Sequence, residues 1–61
     1  MPETLTAREH EIALMIAADK SPGDIQEATG LAPGTLKHHT FNIYRKLGVK
    51  NERELRRKGV D

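Results

Sequence analysis

Apolar residues recur along this chain at helical spacing in short stretches, each bounded by capping or turn residues. The first stretch carries Ile12, Ala13, Met15, Ile16 and Ala17, with Leu14 off the main stripe. Leu5-Thr6-Ala7-Arg8-Glu9 opens it. Thr6 can accept from the Glu9 amide while the Glu9 carboxylate reaches back to the Thr6 amide, which is a capping box. This helix should end near Asp19-Lys20. Ser21-Pro22-Gly23-Asp24 repeats the starting signal, with Ser21 as cap, Pro22 at the first helical position and Asp24 near the positive helix end. The second helix should finish at Thr29, where Gly30 can stop it in a left-handed conformation, and its inward face is Ile25, Ala28 and Leu31.

The third stretch, residues 35–48, reads as one helix with two different faces. At about 100° per residue, Leu36, His39, Thr40, Ile43 and Leu47 fall on one side. Gly34, Lys37, His38, Phe41, Tyr44 and Arg45 fall on the other, a cationic and aromatic surface that suits a nucleic-acid groove. Pro33 pre-sets the start of this helix, Ala32 offers it no capping side chain, and Gly48 ends it. Asn51 followed by Glu54 signals a last helix that stops before Gly59. No strand pattern, repeat or low-complexity tract interrupts the series. The expected fold is all-α, four short helices in one domain over residues 1–61.

A chain of 61 residues has room for one small core. It has no cysteine, so caps and packing rather than disulfides or thiolate metal sites must hold it. The longest apolar run, Ile12 to Ala18, is far too short to span a bilayer, and the first residues do not resemble a signal peptide. A cytoplasmic location is expected. The net charge of +1 conceals an asymmetry. Residues 1–30 carry two basic and six acidic side chains, a balance of −4, whereas residues 31–61 carry eight basic and three acidic, a balance of +5. A small domain polarised in this way favours an anionic partner met by one end.

The histidines do not make a metal site. His38 and His39 point to different faces of one helix and His10 lies on another element. No nucleophile-and-base arrangement or phosphate-cradling loop is visible, so neither catalysis nor a cofactor is expected.

A short helix, a tight glycine turn and a two-faced basic helix make a helix-turn-helix. The residues themselves go further. Leu5-Thr6, Arg8-Glu9 and Glu11-Ile12 resemble the opening of the LuxR-type (GerE-like) DNA-binding domains. Asp24-Ile25 with Gly30-Leu31 resembles their turn. Thr35-Leu36-Lys37, His39 and Asn42-Ile43-Tyr44-Arg45-Lys46-Leu47-Gly48-Val49 resemble their recognition helix and its exit. The match runs from Leu5 to about Leu55. It implies a four-helix bundle with the third helix in the major groove of double-stranded DNA. By position, Lys37, His38 and Phe41 would face base edges, while Thr35, Arg45, Lys46 and Lys50 would lie near phosphates. The family's fourth helix often supplies the dimer contact, which assigns that role to Leu55 here, in a homodimer formed mainly on DNA.

Several residues depart from the family pattern. Asp19 replaces the glycine usual after the first helix, Gln26 a small residue at the helix crossing, and Thr29 an apolar one. Ala32 replaces the usual capping serine, Thr40 an apolar residue and Phe41 a polar or basic one. An extra Glu52 shifts the exit arginine to Arg53. Together these predict a weakly stable domain or altered specificity. Phe41 admits three readings: folding back over the bundle edge, contact with a thymine methyl, or contact with a protein.

Two functions compete. The first is sequence-specific DNA binding by a small transcriptional regulator or by the DNA-binding domain of one; Met1-Pro2 fits a natural start, though an expressed fragment would begin alike. The second is a protein-interaction module that holds a regulator or an RNA polymerase subunit without reading DNA.

Overall fold

Thr6 starts the fold as the sequence requires. In the computed structural model, which describes residues 5–60, its Oγ1 accepts from the Glu9 amide at 3.1 Å and its own amide donates to Glu9 Oε1 at 2.9 Å. Helix α1 spans Ala7–Ala17, α2 Pro22–Thr29, α3 Pro33–Leu47 and α4 Glu52–Lys58. The reading of Met1-Pro2 falls outside the described residues. Ser21 and Asp24 form a second capping box, and Asn51 Oδ1 accepts from the Glu54 amide at 2.9 Å to cap α4. Gly30 and Gly48 end α2 and α3 at φ 72° and 69°, a left-handed backbone that a side chain would strain. Among the described residues there is no strand, and no helix is long and apolar enough to cross a membrane.

The core is Ile12, Ala13 and Ile16 of α1, Ile25 of α2, Leu36 and Ile43 of α3, and Leu55 of α4. Helix α1 is the central element: α3 and α4 both pack on it, while α2 packs on α3. Leu14 stands off this core, 49% exposed, as its place off the stripe requires.

Three residues do not lie where the sequence suggests. Ala28 is exposed, so α2 attaches through Ile25, with Leu31 half-buried beyond it. Tyr44 is half-buried against the core rather than on the outer face of α3. Leu55 is fully buried. It faces inward on the single apolar position of a seven-residue helix, so it holds α4 within its own bundle and has no surface to offer a second copy.

The polar departures find local partners. Thr29 Oγ1 donates to the Ile25 carbonyl at 2.7 Å, and Thr40 Oγ1 to the Leu36 carbonyl at 2.9 Å. Each hydroxyl sits at a half-buried position with its proton donated to the preceding turn, and Thr29 Oγ1 also accepts from the Leu31 amide at 3.4 Å. Asp19, where the resemblance implies glycine, takes φ 65°. Aspartate tolerates this left-handed conformation better than most residues but less well than glycine.

Candidate nucleic-acid interface

Helix α3 is the longest element, with 15 residues, and presents its two sides to different environments. Leu36 and Ile43 are buried, with His39, Thr40 and Leu47 half-buried beside them. Lys37, Phe41 and Arg45 follow at intervals of four on the open side and are all exposed, with His38 next to them. The stripe is about 12 Å long at 1.5 Å per residue. A B-form major groove is about as wide. Phe41 is 58% exposed, so it does not fold back over the bundle edge.

Pro33 and Gly34 open α3 without a capping side chain before them. Ala32 makes no side-chain hydrogen bond, which leaves first-turn amides and the positive helix end open beside exposed Thr35. Lys50, three residues past α3, is exposed while its amide donates to Glu54 Oε1 at 2.9 Å. Thr35, Lys37, His38, Phe41, Arg45 and Lys50 are therefore all exposed on or just beyond one helix. The His38 ring meets that of His39 edge-on, with centroids 6.5 Å apart.

Lys46 behaves differently from its neighbours. Its ammonium lies 2.7 Å from Glu9 Oε1, with the lysine side chain 15% and the glutamate side chain 6% exposed. The placing of Lys46 near phosphates gives way to this contact: its charge is spent inside the domain, where it ties the end of α3 to the start of α1. The Lys46 ammonium and the capping-box amide of Thr6 hold the Glu9 carboxyl below its ordinary value, against an opposing push from burial. Glu9 was legible in sequence as a cap only. Its spacing with Ile12, Ala13 and Ile16 puts it on the core stripe, and a carboxylate there needs a cationic partner. Burial raises the Tyr44 hydroxyl above its ordinary value, and the nearby Glu52 adds to this while Arg56 opposes it.

The sequence profile of the bacterial regulatory proteins of the luxR family, GerE, matches residues 3–58. YhjB of Escherichia coli strain K12 is 43% identical over 49 residues, which are 80% of this chain and 24% of that protein. The transcriptional regulatory protein UhpA of the same organism is 37% identical over 59 residues, 97% of this chain and 30% of UhpA. The transcriptional activator protein EsaR of Pantoea stewartii subsp. stewartii is 36% identical over 56 residues, 92% of this chain and 22% of EsaR. The chain thus spans between 22% and 30% of the length of these relatives. No solved structure matches it. With four helices in the expected order and a family match that covers nearly its whole length, the chain belongs to the luxR family of bacterial regulatory proteins.

Proposed function

We infer that this domain binds double-stranded DNA sequence-specifically, with α3 in the major groove, as a transcriptional regulator or the DNA-binding part of one. The observation that carries this is the exposed stripe of Lys37, Phe41 and Arg45, with His38 beside it, on a helix whose other face is buried. Such a helix can enter a groove as a rigid body because packing, not DNA, fixes its orientation. Lys37 can donate to guanine O6 and N7, and Phe41 can meet a thymine methyl. Thr35, Arg45 and Lys50 surround these as phosphate contacts that set register. The open amides at the start of α3 favour an anion for the same reason as any uncapped helix end. Lys46 serves as a mount for α3 rather than as a phosphate charge.

Two copies would meet on adjacent half-sites of DNA rather than through Leu55, and the domain would act in the cytoplasm, where its DNA lies. The relatives' names as transcriptional regulators and activators support the reading. No observation favours a protein-interaction module in its place. The test is selection from a pool of random duplexes, sequenced after several rounds. Enrichment of a short common motif is expected; a pool that stays random after salt-resistant selection would contradict sequence-specific binding.

A further inference from the structure

The side of α3 that carries the exposed stripe also borders an open groove of about 740 Å³. Ile16, Leu36, Tyr44 and Val49 give it a largely carbon lining. It extends from Pro33 at the start of α3 to Val49 just past its end, about 20 Å at the helical rise. That length matches about four turns of a helix. Lys20, Lys37 and Arg45 also line it, and among the described residues Glu52 is the single acidic one that does. Lys20 and Lys37 have no ion pair among the described residues. An apolar groove with a cationic rim is complementary to a helix with one apolar and one acidic face.

We propose that this groove docks an acidic amphipathic helix of a partner protein, and that such a helix and DNA compete for the domain. Docking stands on the groove alone. Competition rests on the DNA reading above, because Lys37, Phe41 and Arg45 belong to both surfaces. A partner in the groove would cover the stripe that would otherwise enter DNA, so its abundance would set how much of the regulator is free to bind.

The test uses the whole 61-residue protein with isotope-labelled amides. The probe is a synthetic acetylated peptide of about 16 residues, between four and five turns, with leucines on one face and glutamates on the other. A scrambled peptide of the same composition, with leucines on no common face, is the control. The ordered peptide should shift the amides of Ile16, Gln26, Leu36 and Val49 and bind about tenfold tighter than the scrambled one. Lys20→Glu, an exposed change outside the DNA-facing set, should weaken the ordered peptide about threefold to tenfold. Equal binding of both peptides, or shifts confined to residues 53–58, would overturn docking. A peptide that seats in the groove without displacing the selected duplex would overturn competition. Failure of the DNA reading shows separately, as absence of selective duplex binding when no peptide is present.

Discussion

Lys46 Nζ donates to Glu9 Oε1 at 2.7 Å across 37 residues of chain, so the last turn of α3 is fastened to the first turn of α1. The same carboxylate closes the α1 capping box. One buried group therefore sets both where α1 begins and how α3 is mounted upon it. Lys46→Ala leaves Glu9 without its cation and should cost about 1.5–3 kcal/mol in urea melts. It should change the salt dependence of DNA binding little, because this ammonium does not reach outward.

The same pair predicts a pH dependence with a definite sign. Folding lowers the Glu9 pKa, so the unfolded chain takes up the proton more readily than the folded one. The contribution is fully present above the ordinary value of 4.5 and is lost as pH falls through the lower folded-state value. Stability measured from pH 6 downward should fall in that window, and Glu9→Gln should flatten the fall. An unchanged acid slope in Glu9→Gln would show that other carboxylates carry it.

Asp19 holds the left-handed φ of 65°, and Arg56 Nη1 donates to its Oδ1 at 2.8 Å. The pair is exposed, at 38% and 78%, and contributes little. Asp19→Gly should therefore be more stable than Asp19→Ala by about 1–2 kcal/mol, since only glycine adopts this conformation without strain. Thermal melts of the two variants side by side make the comparison, and equal stability would contradict it.

Ala32 leaves the first turn of α3 without a side-chain acceptor. Ala32→Ser should stabilise by about 0.5–2 kcal/mol. Urea melts with no gain would show that water already serves those amides.

Leu55 is fully buried, and the residues around it on α4 are charged. Leu55→Ala should cost about 2–5 kcal/mol, which is comparable with the whole stability of a domain this small. It should unfold the protein rather than separate a dimer. The native chain should sediment as a monomer at micromolar concentration in the absence of DNA, and a tight dimer would contradict this.

Local signals made the helices readable. Thr6 with Glu9, Ser21 with Asp24, Asn51 with Glu54, and the glycines at 30 and 48 all act within one turn, so the chain alone announces the starts of α1, α2 and α4 and the ends of α2 and α3. The exposed stripe of α3 was legible for a related reason: helical period decides which side chains share a face. What period cannot decide is which neighbour covers a face. Lys46 and Arg45 are adjacent cations, and only the approach of α1 turns one inward to Glu9. Tyr44 sits at the boundary of the outer face, and the packing of α3 on the bundle buries part of it. The family resemblance assigns Leu55 to a dimer contact, yet the docking of α4 on α1 places it in the core.

In the proposed DNA complex, the Lys37 side of α3 reads bases while Arg45 meets phosphate alone. Titrating Lys37→Ala and Arg45→Ala on the selected duplex and on a scrambled one, at several salt concentrations, tests it most directly. Arg45→Ala should weaken both duplexes alike and reduce the salt slope by about one. Lys37→Ala should cost about 1–3 kcal/mol on the selected duplex and little on the scrambled one. Equal losses on both duplexes for Lys37→Ala would contradict base reading, and no loss for either variant would mean that this face does not meet DNA.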